Sequence, residues 1–306
     1  MEDNHLNYQK VKKKYLNFIR SQEVMSEPFR DKLQQLNKFY LPISKMISDD
    51  YFKKKKTKLI GLTGGQGTGK STISKILKII LKEAYKLETV IFSIDDFYKT
   101  LNEREVMSKT INSLFLTRGV PGTHDTKMLF RCIKKLKNKK FKKFTMPKFD
   151  KSIDNRSPKN KWFKVKKKPN IIIFEGWCVG ATAQKNKDLN FPVNQLEKQK
   201  DIEKIWRQKV NLELKKNYSK IYNLIDKLIF LKVPSFKYVL KWRTLQEKKL
   251  RINGKGNKIM NNEQIKNFIM YYERITKHML KILPTKSDIV ISIDKSHRLK
   301  SIKFNK

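Results

Sequence analysis

The hydrophobic positions of the chain fall into short, continuous apolar runs separated by segments of helical period. Leu59-Ile60-Gly61-Leu62, Thr89-Val90-Ile91-Phe92-Ser93-Ile94, Asn170-Ile171-Ile172-Ile173-Phe174, Leu228-Ile229-Phe230-Leu231 and Ile289-Val290-Ile291-Ser292-Ile293 show little alternation with polar residues. Strands buried on both faces of a parallel sheet read this way. After the first run, Ile73, Ile76, Leu77, Ile80 and Leu81 recur at i, i+3, i+4, i+7 and i+8. Met128, Leu129, Cys132, Ile133 and Leu136 form a second stripe of that kind. Both spacings predict amphipathic helices. The alternation of element types predicts an α/β fold, a doubly wound parallel five-stranded sheet with flanking helices. Upstream, Tyr15, Leu16 and Ile19, then Leu33, Leu36, Phe39 and Tyr40, keep helical spacing, with Pro28 and Pro42 as boundaries. Residues 1–57 are therefore expected to be a helical N-terminal extension packed on a domain spanning 58–306.

The first apolar run leads directly into Thr63-Gly64-Gly65-Gln66-Gly67-Thr68-Gly69-Lys70-Ser71-Thr72. Gly64, Gly69, Lys70 and Ser71 satisfy G-x-x-x-x-G-K-[ST], the phosphate-cradling P-loop pattern, in the strand–turn–helix context that it requires. Glycines let the backbone curl, so that its N–H groups and the helix N-terminus converge on phosphate oxygens. Residues 64–72 are thus the expected ATP cradle, with Lys70 on the β- and γ-phosphates and the Ser71 hydroxyl on Mg²⁺.

Composition changes this picture little. The chain has 306 residues, with 71 Lys and Arg against 28 Asp and Glu, for a formal charge of +43. Lysine runs occur at 53–56, 134–143 and 164–168, and the stretch 137–169 is the expected irregular excursion. A basic field attracts ATP and anionic substrates, but alone it licenses only non-specific, salt-sensitive nucleic-acid binding. Without an RNP-like, zinc-finger or recognition-helix pattern, no specific nucleic-acid partner is expected. The abundance of Lys, Asn and Ile together reads as compositional drift. Cys132 and Cys178 have no C-x-x-C spacing and suit a reducing cytoplasm. The polar start, residues 1–14, lacks an apolar h-region, and no stretch approaches the roughly 20 apolar residues of a membrane span.

Four further segments carry candidate chemistry. Asp95-Asp96-Phe97-Tyr98 follows the second strand, where open α/β sheets bind ligands. One Asp is expected to face the site as base and the other to cap a turn, and Asp95 is the expected base. Asn170 to Phe174, ending in Glu175, has the form of a Walker-B strand that delivers an acid to the metal. Arg118-Gly119-Val120-Pro121-Gly122-Thr123-His124-Asp125 delivers polar groups at a helix start. Arg118 can clamp a carboxylate or phosphate, and His124 and Asp125 can reach substrate hydroxyls, with an N-cap as the alternative for Asp125. Asp96, Tyr98, Arg118, His124 and Asp125 make up the expected acceptor side. Arg243, Glu247 and Arg251 share one helix face, either as surface ion pairs or as a lid over 240–262 whose Arg243 neutralises transferring charge, with Gly254-Lys255-Gly256 as hinge.

The segments 64–71, Ser93-Ile94-Asp95-Asp96-Phe97-Tyr98, Arg118 to Asp125, Pro147-Lys148-Phe149-Asp150-Lys151-Ser152 and Phe174-Glu175-Gly176-Trp177 occur in that order. Together with Tyr271-Tyr272-Glu273-Arg274-Ile275-Thr276, this set resembles the D-glycerate 3-kinase family of plant and fungal type. That family lies within the phosphoribulokinase/uridine kinase superfamily. The resemblance covers roughly residues 40–295. It implies ATP-dependent, Mg²⁺-assisted phosphorylation of D-glycerate to 3-phosphoglycerate beneath a closing lid. It also matches Asp95 to the catalytic carboxylate and Glu175 to the Walker-B acid. Cys178-Val179-Gly180-Ala181 departs from relatives, which often carry a bulkier apolar residue and a Phe there. The alternatives are a kinase of another small alcohol, of pantothenate, uridine or sugar type, or a nucleic-acid-binding NTPase.

Overall fold

The computed structural model describes residues 2–23, 29–252 and 260–305. The central sheet is built from β1 (Lys58–Gly64), β2 (Thr89–Ser93), β3 (Ile171–Gly176), β4 (Lys227–Lys232), β5 (Ile289–Ile293) and β6 (Leu299–Phe304), in spatial order β6-β5-β4-β1-β3-β2. The five apolar runs of the sequence form its five parallel strands. Every residue of β1 and β3 is buried, which is why these strands carry no alternation. The sheet has one strand more than expected. Leu299-Lys300-Ser301-Ile302-Lys303-Phe304 pairs antiparallel with β5 at the edge, with most of its side chains exposed. An edge strand half in water needs no apolar run, and its lysines blunt an otherwise open edge.

Helix α1 (Glu2–Gln22) and helix α2 (Leu41–Lys54) lie on the face of the sheet that also carries α3 (Lys70–Tyr85), the helix behind the P-loop. Val11, Tyr15, Ile19, Phe39, Ile43 and Ile47 share one apolar cluster with Ile60, Leu62, Ile73 and Ile76. Lys14 Nζ reaches the buried Glu83 of α3 at 2.6 Å. The other face is covered by α4 (Thr126–Lys137), by the turns after β2 and β3, and by part of α6 (Asn262–Lys286), around Phe92, Phe174, Trp177 and Tyr218. Helix α5 (Phe236–Ile252) runs past the P-loop, where Val239 and Trp242 press on Gly65 and Gly67.

The lysine-rich stretch contains two small antiparallel pairings, Phe144–Met146 with Phe163–Val165 and Phe149–Asp150 with Asn155–Arg156. The second is a hairpin that leans over the end of β2, its Phe149 ring edge-on to Tyr98 at 5.2 Å. Among the described residues no helix is long and apolar enough to cross a membrane.

Candidate active site

Parallel pairing brings the carboxyl ends of β1, β2 and β3 together. Glu175 lies in register with Leu62 on one side and Ser93 on the other. The P-loop therefore opens beside the Walker-B acid, with the Asp95 turn one strand farther out.

Helix α3 starts after Gly69, which holds φ +84°. The loop is closed by Thr68, whose hydroxyl donates to the Gly65 carbonyl at 2.8 Å. The Lys70 ammonium folds back on the carbonyls of Gly64 and Gly65 at 2.8 and 2.9 Å. Burial pulls the Lys70 pKa below the ordinary lysine value, against the opposing pull of Glu175 and Asp95. Ser71 donates to Glu175 Oε1 at 2.7 Å. Ser74, one turn on, donates to Oε2 at 2.5 Å, so two hydroxyls of one helix face aim a nearly buried carboxylate.

The two aspartates after β2 part company. Ser93 and Asp96 form a capping box across the short turn Ile94–Phe97, in which the Asp96 carboxylate accepts the Ser93 N–H. Burial and the neighbouring Asp95 charge raise the Asp96 pKa. Asp95 instead points outward, with Oδ1 accepting from the Tyr98 hydroxyl at 2.9 Å and Oδ2 from Lys151 Nζ at 2.7 Å. Burial opposes its ionisation, but Lys151 and the other groups around it, the Tyr98 hydroxyl among them, together hold its pKa below the ordinary carboxylate value.

Opposite stands the turn 118–125. Gly119 has φ +137°, and a Cβ there would lie 2.1 Å from the Tyr272 hydroxyl, so only glycine fits. Its carbonyl accepts the Trp177 indole N–H at 2.9 Å, and the Trp177 ring stands edge-on to Tyr272. The R-G and E-G-W segments, 58 residues apart, thus meet in one contact. Gly176 is as constrained, because a Cβ would lie 2.5 Å from Ile94 Cγ2. His124 pairs its backbone with Tyr98 and stacks its ring on Tyr98 at 4.5 Å. Burial lowers the His124 pKa to about 4. Asp125 takes the capping alternative: it accepts the Met128 N–H at the start of α4, and its other oxygen lies 3.6 Å from Arg156. Arg118 is paired with Asp154 of the hairpin and lies over the Phe149 ring.

Arg243 is paired with Glu247 on α5 and lies over the Phe268 ring. The hinge Gly254-Lys255-Gly256 and the Arg251 side chain lie outside the described residues. Lys151, Ser74, Asp154 and Tyr218 were not singled out from the sequence as site residues. Lys151 carried one usable signal, its place in the P-K-F-D-K-S segment. Ser74 carried its i+3 spacing from Ser71.

A parallel sheet with a P-loop between strand and helix, an acid from the next strand beside it and a second carboxylate just past the end of the strand beyond defines a P-loop kinase of small molecules. The chain belongs to the phosphoribulokinase/uridine kinase family, whose model matches residues 59–238. An uncharacterized kinase of Schizosaccharomyces pombe is 32% identical over 224 residues, 70% of this chain and 78% of that protein. The chloroplastic D-glycerate 3-kinase of Arabidopsis thaliana is 28% identical over 250 residues, which is 77% of this chain but 52% of the plant protein. A solved D-glycerate 3-kinase from Cryptococcus neoformans superposes with a TM-score of 0.73 over 87% of this chain and 98% of that one, at 21% identity.

Proposed function

We propose that the protein transfers the γ-phosphoryl group of ATP to D-glycerate, giving 3-phosphoglycerate, with residues 64–72 as donor cradle and Asp95 as base. The observation that carries this is the pairing of an outward-facing Asp95 with a cationic acceptor side. Lys151 is paired with Asp95, Arg118 is paired with Asp154 of the same hairpin, and the neutral His124 lies against Tyr98. A small acid bearing a carboxylate and a hydroxyl suits that charge better than a neutral nucleoside does. The similarity to the plant D-glycerate 3-kinase supports the same reading.

The donor set at the cradle fits Mg²⁺. Ser71 and Glu175 offer hard oxygens, and among the described residues no group of three or more His, Cys, Asp or Glu side chains forms a protein cage. Mg²⁺ is ordinarily held by one or two protein groups together with phosphate oxygens and water. When bound, it would neutralise charge on the triphosphate. Asp95 would take the acceptor's hydroxyl proton, Lys70 would hold the β- and γ-phosphates, and Tyr98 would keep the Asp95 carboxylate turned toward the acceptor.

ADP release measured with D-glycerate, L-glycerate, pantothenate, uridine and sugar acceptors tests the reading. Saturable turnover is expected with D-glycerate. Turnover with one of the others and none with D-glycerate would refute the acceptor assignment. Asp95→Asn is expected to lower kcat by about 10²–10⁴-fold while ATP still binds.

A further inference from the structure

Lys151 lies at the tip of the hairpin formed by Phe149–Asp150 and Asn155–Arg156. Its side chain is 61% exposed, yet its Nζ sits 2.7 Å from Asp95 Oδ2. An ion pair so open to water contributes little to stability, so folding alone does not account for it. The hairpin that carries it is anchored from below, because Asp154 is paired with both Arg118 and the fully buried Arg104. One ammonium group, that of Lys70, is held inside the cradle, and a second, that of Lys151, is held on the carboxylate of Asp95. An anion bridging the two would satisfy both.

We propose that Lys151 is a catalytic residue that exchanges Asp95 for the γ-phosphoryl group when the nucleotide is bound. The inference rests on the kinase reading of the site, but not on which acceptor is used. In the resting arrangement Lys151 keeps Asp95 ionised and occupies the side of Oδ2 that an acceptor hydroxyl needs. As the triphosphate arrives, Lys151 swings to the γ-phosphate oxygens, and the acceptor hydroxyl then takes the place it leaves. The acceptor O–H bond then breaks, with the proton going to Asp95 Oδ2. The acceptor oxygen bonds to Pγ as the bond from Pγ to the β,γ-bridging oxygen breaks, and the electron pair leaves on ADP. Lys151 and Lys70 bracket the equatorial oxygens on which charge is spread during the transfer.

The test compares binding of Mg²⁺-bound β,γ-imido-ATP and of Mg²⁺-ADP, by calorimetry, to the wild-type chain and to Lys151→Met and Lys151→Arg. Only the first ligand carries a γ-phosphate. Lys151→Met is expected to weaken the triphosphate by about tenfold and to change ADP affinity less than about twofold. Lys151→Arg, which keeps the charge, is expected to restore most of the difference. An unchanged ratio of triphosphate to diphosphate affinity overturns the proposal, whether both affinities hold or both fall together. Failure of the wild-type chain to phosphorylate D-glycerate would refute the acceptor assignment and leave this ratio intact, so the two failures are separable.

Discussion

The Tyr218 hydroxyl lies 2.6 Å from His124 Nδ1 and at the same time accepts the Gly122 N–H at 3.1 Å. Two elements of the acceptor turn, Gly122 and His124, are thus tied to one hydroxyl. The other ring nitrogen, Nε2, is buried and has no hydrogen-bond partner among the described residues. His124 is a buried imidazole stacked on Tyr98 and held neutral by its burial.

This neutrality gives a pH signature. Burial lowers the folded-state pKa of His124 to about 4, below the ordinary value of 6.5. Between those values the unfolded chain binds the proton and the folded chain does not, so stability falls as pH drops through 6.5 toward 4. The loss contributed by His124 approaches about 3 kcal/mol at the acid end. Denaturant unfolding of the wild type and of His124→Gln across pH 4–7 should show a steeper acid decline for the wild type. Parallel curves would show that His124 is already charged in the folded state.

The two serines on Glu175 give a second expectation. Ser74→Ala removes the donor to Oε2 and frees the carboxylate to turn away from Ser71. Loss of such supporting contacts ordinarily weakens a metal site by 10–100-fold. The Mg²⁺ concentration for half-maximal turnover should therefore rise by about tenfold in Ser74→Ala, and further in Glu175→Gln. A Mg²⁺ titration of initial rates measures both. Identical curves would detach Glu175 from the metal.

Gly119→Ala is expected to destabilise the fold by about 2–3 kcal/mol, through a strained positive φ and a collision with Tyr272. Calorimetric unfolding would register it as a lowered Tm. Because the Gly119 carbonyl also holds Trp177, turnover should fall in the surviving folded fraction as well.

The parallel sheet was legible because burial on both faces leaves an unmistakable pattern, as in Ile171 to Phe174. β6 was not, since Lys300, Ser301 and Lys303 face water and leave no apolar run. The P-loop and the positions of Asp95 and Glu175 could be read because their spacing from strand ends is local. That the two aspartates diverge was also legible, Asp95 as the expected base and its neighbour as the cap, but the partner in the capping box, Ser93, was not. Contacts such as Lys151 with Asp95 or Arg118 with Asp154 join residues 56 and 36 apart, and no pattern along the chain encodes them. The lysine runs were misleading in the same way. Lys151, the lysine that meets Asp95, lies outside all of them.

Lys70, bound to the carbonyls of Gly64 and Gly65, has a consequence for how nucleotide enters. The cradle carries an internal ligand of its own, so binding is an exchange in which the triphosphate wins the ammonium from the loop. The Thr68 bond to the Gly65 carbonyl and the Ile73 bond to the Gly69 carbonyl do not involve Lys70, so the exchange leaves them intact. A cradle held in this way before the ligand arrives has less freedom to lose on binding.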